Sequence, residues 1–383
     1  MRGSSSKIVT KRASEHFNRF VGRLVHRDWQ SADLRKYIGS FRNTYLTYAH
    51  DEALRTFSAS GATVSAILIH ALEAGEIDGA LVCRTVVENG RVRAHYFIAR
   101  SRSDILTARG SLYVELKFVT DALPQIEEFE GRLAVVGLPC HIDILRRRMK
   151  RDLPFANKIK VLIALVCGHS SKAELIDNVT ARLTRDEGCD LAAFHFRKGH
   201  WRGISTATLS DGRAVEFPFA RFSLYQNLYF WSEKKCFQCT DHFAYNADIS
   251  AGDIWSIELK NSPIKHTSII TRTDAGQAFF DSAVSSGRLQ VAPVSAGDIM
   301  QGQARTAPFH YNLTARLFAA RRGGLTLKDT VHEPVHWNHR LVAEMAMFNW
   351  RWSQSARWSK YIFKVPKPLM RAYLLMFKAL ESF

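Results

Sequence analysis

Two short apolar runs, each followed by a cysteine and then by a helical pattern, constrain the fold of this chain most. Residues 133–137 read LAVVG, and the segment after the turn LPC predicts a helix. Residues 161–167 read VLIALVC, and Ser171 and Glu174 then have the spacing of a capping box before a second helix. Runs that are apolar at every position are typical of strands covered on both faces. Repeated strand–turn–helix units of this kind predict an α/β sheet.

The remaining segments supply further strands and helices around that sheet. A helix is predicted after Ser60, which is its expected N-cap, and Gly75 suits its C-terminal end. Asp211 and Gly212 mark the turn of a hairpin, and residues 226–256 are expected to form an irregular loop. Further strands are predicted at 77–83, 91–100 and 265–273. The predicted fold class is α/β (α+β), with a mixed central sheet, flanking helices and an inserted cysteine-bearing loop region.

The composition divides the chain into three parts. Residues 1–37 are basic and weakly patterned, and we expect a basic N-terminal arm there. Residues 38–330 contain the strand and helix patterns and are the predicted core. Residues 331–383 form a predicted basic, aromatic C-terminal helical tail. Its last helix has an apolar face that suits either packing on its own domain or contact with a membrane or a partner.

The charge indicates what the protein attracts. The net charge is +17, which favours anionic partners such as an acidic protein, a phosphorylated ligand, acidic lipid or nucleic acid. The sequence shows neither a secretory signal nor an apolar run of the roughly 20 residues that span a bilayer. We therefore expect a cytoplasmic protein, whose six cysteines are reduced thiols, metal ligands or nucleophiles rather than disulfides.

Four of the cysteines are candidates for one metal site. Cys140 and Cys167 each follow a predicted buried strand, and open α/β sheets bind ligands at the carboxyl ends of their strands. Cys236 and Cys239 form a C-x-x-C pair within a loop, a spacing at which two thiolates can chelate one centre. Four such thiolates suit either zinc or a [4Fe–4S] cluster, and the spacing leaves both open. The other two cysteines, 83 and 189, are expected not to be ligands.

Beyond these cysteines, two segments are the most specific, LAVVGLPCHIDILRR and CFQCTDHFAYNADISAGDIW. Around them, in order along the chain, are the pieces IGSFRNTYLTYAHDEALRTFSASGA, LEAGEIDGALV, ARGSLY, LVCGH, FRKGHW and SIITRTDAG. Through these segments, over roughly residues 38–295, the chain resembles the coenzyme F420 hydrogenase/dehydrogenase beta-subunit family, to which hydroxymethyl-chlorophyll reductase is related.

The family resemblance implies cofactors and the residues that hold them. Its members are flavin and iron–sulfur proteins, so an FAD and one [4Fe–4S] cluster are expected here. The implied cluster ligands are Cys140, Cys167, Cys236 and Cys239. The implied flavin-binding residues are Ser60, Gly61, Gly110, Ser111, Tyr113 and Arg272. The catalytic residues are not identified, with Lys198 and Asp241 as candidates.

Two features depart from the family pattern. The family's helix-start motif usually reads Ser-Gly-Gly, but here it reads Ser60-Gly61-Ala62, and the added methyl group restricts how closely a ligand approaches the backbone. Many relatives also carry a ferredoxin-like N-terminal segment, whereas residues 1–57 contain no cysteine. The expected enzyme therefore has one cluster, which an external donor feeds.

Two functions of different classes follow. The resemblance implies an oxidoreductase that passes electrons between an external carrier and a substrate, the carrier being an acidic ferredoxin-like protein or a deazaflavin. Some members of the wider family serve polysaccharide or cell-surface biosynthesis. The alternative is a basic binding module, associated with a membrane or nucleic acid, whose four cysteines hold a structural metal. The basic tail favours the alternative and the cluster motif opposes it, and nucleic acid is the less expected partner.

Overall fold

The computed structural model describes residues 29–199, 203–256, 259, 262–328 and 333–382. Residues 1–28, most of the predicted N-terminal arm, lie outside the described residues. The strands are β1 (Asn43–Ala49), β2 (Gly79–Glu88), β3 (Arg91–Ala99), β4 (Leu133–Gly137), β5 (Ile159–Leu165), β6 (Leu191–Lys198), β7 (Ile204–Leu209), β8 (Ala214–Pro218), β9 (Ile249–Asp253), β10 (Thr267–Thr271) and β11 (Leu289–Pro293).

Helices surround these strands. The α-helices are α1 (Ser31–Ile38), α2 (Glu52–Thr56), α3 (Thr63–Glu73), α4 (Arg102–Thr107), α5 (Leu123–Glu128), α6 (Pro139–Met149), α7 (Leu153–Lys158), α8 (Ala173–Glu187), α9 (Ala220–Gln226), α10 (Asp274–Ser285), α11 (Ala296–Gln303), α12 (Thr306–Tyr311), α13 (Leu313–Arg322), α14 (Trp337–Gln354) and α15 (Lys367–Ser382). The described residues also include a π-helical turn at Phe118–Ala122 and 3₁₀ turns at Lys234–Phe237 and Ser359–Lys364.

The central sheet is mixed and has eight strands in the order β11-β1-β10-β9-β5-β4-β2-β3. Its middle is parallel, because β2 pairs with β4, β4 with β5 and β5 with β9 in the same direction. The outer pairs are antiparallel. Apolar side chains cover both faces of β4 and β5, which explains their uninterrupted apolar sequences. The predicted fold class is confirmed.

A second, three-stranded sheet carries the order β6-β7-β8. Its β7–β8 hairpin turns at Asp211 and Gly212, as predicted, with Gly212 at φ +86°. This sheet packs with α8, α9 and the C-terminal helices around a separate core. That core is rich in fully buried phenylalanines, namely Phe196, Phe222, Phe230, Phe237, Phe309 and Phe377.

Three local predictions were wrong. Residues 226–256 are not wholly irregular, because β9 lies within them and joins the central sheet between β10 and β5. Ser60 does not cap α3; its hydroxyl donates to the carbonyl oxygen of His266, and the helix begins after Ala62. The expected capping box before α8 is absent as well. Its N-cap is Lys172, and the Ser171 hydroxyl is buried without a hydrogen-bond partner among the described residues.

The C-terminal helices pack onto the segment that precedes the C-x-x-C pair. The Asn349 side chain donates to the Leu228 carbonyl oxygen (2.9 Å), and the Trp231 backbone N–H donates to the Ser353 hydroxyl (2.8 Å). In α15, Met370 and Phe377 are buried against the same core. Within the described ranges, no helix has both the length and the apolarity needed to cross a membrane.

Candidate metal and cofactor site

The fold brings the four predicted cysteines to one edge of the central sheet. Cys140 lies in the first turn of α6, directly after β4, and Cys167 lies two residues beyond the end of β5. Because β4 and β5 are parallel neighbours, these two cysteines share the carboxyl edge of the sheet. Cys236 lies in the 3₁₀ turn, and the backbone N–H of Cys239 donates to its carbonyl oxygen (3.3 Å).

Hydrogen bonds join the C-x-x-C segment to the strand-end segment. The backbone N–H of Cys167 donates to the His242 carbonyl oxygen (3.0 Å), three residues after Cys239. The backbone N–H of Ser170 donates to the Cys236 sulfur (3.3 Å), the kind of contact that stabilises a thiolate. The two halves of the proposed ligand set are therefore held against each other by the backbone.

Burial and mutual repulsion raise the thiol pKa values at this edge. Burial raises the pKa of both Cys236 and Cys239 to about 12, and neighbouring thiolates add to the effect. Burial also raises the pKa of Cys140. The pKa of Cys167 is raised first by burial and then by Cys236, Cys140 and Cys239, so all four thiols lie within electrostatic reach. Thiols whose pKa values are raised in this way lose their protons only when a bound cation stabilises the thiolates.

The four thiols are free and partly buried. In the described part of the chain, no three His, Cys, Asp or Glu side chains are placed to hold a single metal ion. The other two cysteines stand apart from this group. Burial raises the pKa of Cys83 to about 12, and the Cys189 sulfur lies 3.1 Å from the Ser210 hydroxyl.

A cleft at the same edge of the sheet starts where β9 ends. It is lined by Ser60, Arg197, Asp253, Trp255, Lys265 and His266, among others. Gln303 bridges the cleft to the cysteine segment: its amide donates to the Asp253 carbonyl oxygen (3.2 Å), and its side-chain oxygen lies 3.1 Å from His242 Nε2. Cleft and cysteines are thus neighbours on one scaffold.

Arg197 organises the cleft. It is 3% exposed, and its Nη1 donates to the Asp253 carboxylate (2.6 Å) and the Tyr113 hydroxyl (3.0 Å), with the Ser111 hydroxyl at 3.5 Å. Its guanidinium also lies 5.0 Å from the ring centre of Trp255. Although burial opposes the charge, Asp253 and Tyr113 more than compensate, and the pKa of Arg197 stays raised. Ser111 and Tyr113 of the predicted ARGSLY segment therefore contact the cleft residue Arg197.

Lys265 adds a second cation. Its ammonium donates to the Ser58 carbonyl oxygen. Burial, and secondly the charge of Arg197, lowers the pKa of Lys265 to about 8. Next to it, His266 Nδ1 is buried and has no hydrogen-bond partner among the described residues. The cleft thus combines two cations and an indole ring, a combination that suits an aromatic ligand with an anionic group.

The Ser60-Gly61-Ala62 segment borders this cleft in an unexpected way. The Gly61 N–H donates to the Thr267 hydroxyl (3.0 Å), so it is not available to a phosphate. A Cβ at Gly61 would lie 2.6 Å from the Thr47 carbonyl oxygen, so packing against β1 requires this glycine. Ala62 has φ +63°, a conformation that glycine adopts freely and alanine rarely. Gly110 has φ +105°, and a Cβ added there would meet only the Phe57 carbonyl oxygen, at 3.7 Å, so the space on that side of its backbone is open.

Three of the predicted site residues do not line the cleft. Arg272 donates to Ser250, Ser40 and Phe243 and does not line the cleft, so its contacts do not support the flavin role. The Lys198 ammonium pairs with the Glu216 carboxylate of β8 (2.5 Å), outside the cleft. The Asp241 carboxylate accepts from the Tyr245 N–H (2.9 Å), as acids in turns often do, and burial raises its pKa to about 6.

Sequence reasoning missed Arg197, Lys265 and Arg316. Arg197 stands next to the candidate Lys198 in the FRKGHW motif, and an irregularity in the β6–β7 pairing turns Arg197 inward. Lys265 opens the segment of a predicted strand. Arg316 lies on α13, and no motif marks it.

Comparison with known proteins identifies two matching family models. Residues 44–123 match the N-terminal part of the coenzyme F420 hydrogenase/dehydrogenase beta subunit, and residues 130–296 match its C-terminal part. The beta subunit of coenzyme F420 hydrogenase from Methanococcus voltae is 23% identical over 254 residues, which are 66% of this chain and 84% of that protein. A subunit of the F420H2 dehydrogenase from Methanosarcina mazei is 25% identical over 58% of each chain.

Further similarities agree with these matches. The coenzyme F420-dependent sulfite reductase of Methanocaldococcus jannaschii is 28% identical over 57% of this chain and 33% of that protein. Among solved structures, a chain of the F420-reducing [NiFe] hydrogenase complex from Methanosarcina barkeri superposes with a TM-score of 0.57. It is 19% identical, and the alignment covers 76% of this chain and 97% of that chain, so it supports the fold.

Because the Arg197–Asp253 pair is buried, we expect its removal to lower the free energy of unfolding more than the removal of an exposed ion pair. Arg197→Met removes one partner of a buried pair and leaves the Asp253 charge uncompensated, so we expect a loss of about 3–5 kcal/mol in the free energy of unfolding. The matched control is Arg213→Met, whose ion pairs with Asp211 and Glu187 are exposed to solvent, so we expect a much smaller loss. Urea denaturation measures both, and equal losses would contradict this description of the cleft.

Proposed function

Because the chain belongs to the coenzyme F420 hydrogenase/dehydrogenase beta-subunit family, a family of oxidoreductases, we propose that it is an iron–sulfur flavoprotein. In this proposal Cys140, Cys167, Cys236 and Cys239 hold one [4Fe–4S] cluster, and FAD binds in the cleft at the end of β9. The observation that carries the proposal is the convergence of four thiols and a doubly cationic cleft on one edge of the sheet.

The residue types present suit both groups, but the cavity at the cleft has a volume of only about 20 Å³, so FAD binding requires the cleft to widen. Thiolate sulfur is the donor that iron–sulfur clusters require, and Ser170 already donates to the Cys236 sulfur as it would to a ligating thiolate. In the cleft, Arg197 and Lys265 suit the pyrophosphate or the reduced ring of a flavin, and Trp255 supplies an aromatic wall. When bound, the cluster exchanges single electrons and the flavin exchanges hydride equivalents.

The chain's own residues orient and shield these groups. Arg197 fixes the positions of Tyr113 and Asp253 beside the cleft. Gln303 connects that wall to His242, whose backbone carbonyl oxygen holds the Cys167 backbone. The proposed substrate exchanges its electrons at the cleft. The external carrier is proposed to be an acidic ferredoxin-like protein or a deazaflavin, which the +17 net charge would attract.

Metal analysis of cysteine variants tests the ligand set. Serine at any of the four proposed ligands should remove most of the iron and sulfide from anaerobically reconstituted protein, because each thiolate binds one corner of the cluster. Cys83→Ser and Cys189→Ser are the matched controls and should keep wild-type iron and flavin. Stoichiometric zinc without iron in the wild-type protein would favour the alternative of a structural four-cysteine metal site and contradict the oxidoreductase proposal.

The pKa of Lys265 predicts how flavin binding depends on pH. Because this pKa lies at about 8, the ammonium is charged at pH 7 and largely neutral at pH 9.5. An anionic flavin phosphate prefers the charged form, so affinity is highest below pH 8 and falls as the pH rises through the pKa. We expect FAD to bind about tenfold more weakly at pH 9.5, the equivalent of one charge-assisted hydrogen bond of about 1.5 kcal/mol.

Titration of apoprotein with FAD, followed by flavin fluorescence, measures this dependence. Lys265→Met should bind weakly and equally at both pH values. Lys160→Met, at an exposed lysine that does not line the cleft, should keep the wild-type pH profile. A wild-type affinity that stays constant from pH 7 to pH 9.5 would exclude Lys265 from the flavin site.

We also propose that the C-terminal tail, residues 331–383, holds this cytoplasmic enzyme at an anionic membrane surface, as suits an enzyme of cell-surface polysaccharide synthesis. On α15, Leu369, Leu375 and Met376 are 63%, 68% and 50% exposed, whereas Met370 and Phe377 on the opposite side are buried. Exposed Lys367 and Arg371 flank this apolar face, as in helices that lie in a membrane interface.

The charges of the tail support the same partner. Its three glutamates are ion-paired with residues outside the tail: Glu333 with Lys36, Glu344 with Arg322 and Glu381 with Arg305. The tail also carries eight lysines and arginines, which are Arg340, Arg351, Arg357, Lys360, Lys364, Lys367, Arg371 and Lys378. Its surplus charge is therefore positive, and each basic residue near an anionic bilayer contributes about 1 kcal/mol.

Vesicle flotation tests this contact. The protein should float with phosphatidylglycerol vesicles, remain below phosphatidylcholine vesicles, and detach as salt is raised. The double variant Leu375→Glu with Met376→Glu should not float. Val119→Glu, which places one glutamate at a 56% exposed apolar residue outside the tail, should float like the wild type. Flotation that survives the double variant would contradict the proposal.

A further inference from the structure

Arg316 is a buried cation directed at the C-x-x-C segment. It lies on α13 and is 2% exposed. Its Nη1 donates to the Cys236 carbonyl oxygen (3.2 Å), and its Nη2 donates to the Cys239 carbonyl oxygen (2.8 Å) and to that of His310. A single guanidinium thus spans both cysteines of the pair. Arg316 also lies outside residues 44–123 and 130–296, which the two family models match.

The charge of Arg316 has no carboxylate partner in the part of the chain that the structure describes. Its hydrogen bonds all go to carbonyl oxygens, and its Nε is buried without a partner among the described residues. The buried carboxylate of Glu381 pairs with Arg305 instead. Carbonyl oxygens and the Phe309 ring, 5.9 Å from the guanidinium, offset part of the cost of burying this charge, and an anion beside Arg316 would offset the rest.

We infer that Arg316 is the counter-charge of the metal–thiolate site formed by Cys140, Cys167, Cys236 and Cys239, and that it raises the reduction potential of the cluster there. The inference rests on the proposed cluster. Four thiolates carry more negative charge than the oxidised iron–sulfur core compensates, so the loaded site is an anion. Arg316 supplies a fixed positive charge to that anion, because a guanidinium remains protonated near neutral pH.

The sign of the effect follows from charge alone. One-electron reduction makes the cluster more negative, and a fixed neighbouring cation stabilises the reduced form more than the oxidised form. Net charge and hydrogen bonding around the sulfur ligands are the means by which a protein sets such potentials. Removal of the cation should therefore make the cluster harder to reduce. The same guanidinium also fixes the C-x-x-C backbone, so Arg316 is a positioning residue as well as a charge.

Two substitutions separate these roles. Arg316→Gln keeps an amide donor and removes the charge, whereas Arg316→Lys keeps the charge and loses the fork of the guanidinium. We expect R316Q to lower the equilibrium constant for reduction at least tenfold, about 59 mV for a one-electron couple, and R316K to stay close to the wild type. The control is Arg93→Gln, which breaks a partly buried pair with Asp177 and should not move the potential.

Anaerobic redox titration of the loaded proteins, followed by electron paramagnetic resonance, measures the potentials. If R316Q keeps its iron and titrates at the wild-type potential, the inference is wrong while the cluster assignment stands. If R316Q loses its iron, R316K decides: a loaded R316K at the wild-type potential supports the role of the charge, and loss of iron there too leaves only a structural role. A wild-type protein without iron overturns the inference and the proposed function together.

Discussion

The parallel pairing of β4, β5 and β9 is the constraint on which the site depends. Parallel strands present their carboxyl ends at one edge, and the segments that leave this edge carry Cys140, Cys167 and the cleft residue Asp253. The C-x-x-C pair joins them because the His242 carbonyl oxygen accepts from the Cys167 backbone. Changes to this pairing register would separate the thiols from one another and from the cleft.

Buried positive charge is a second feature of the carboxyl edge of the central sheet. Arg197, Lys265 and Arg316 all place a cation below the surface, yet only Arg197 has a carboxylate among its described partners. Such cations are costly in a protein alone and become favourable when an anion is bound. Cofactors with phosphate groups or thiolate-bound metal would supply that anion, which is why the charge pattern and the family assignment support each other.

The sequence predicted the central strands and the cysteine positions because strands buried on both faces leave an uninterrupted apolar run. It did not predict β9, since Ile249–Asp253 contains small and polar residues that resemble a loop. It offered Lys198 through the resemblance of FRKGHW and missed the neighbouring Arg197, because no pattern anticipates the irregular pairing of β6 with β7. It placed the cap of α3 at Ser60, because no pattern reveals that Ala62 takes a left-handed conformation.

The contact between Arg316 and Cys236 has a consequence for how the protein is made. The two residues are 80 positions apart, so at synthesis rates of about 5–20 residues per second, Arg316 follows the C-x-x-C pair after about 4–16 s. The contact of Arg316 with the two C-x-x-C carbonyl oxygens therefore forms only after all four thiols have been synthesised. Until α13 has been made, these carbonyl oxygens lack the donor that holds them in the folded protein.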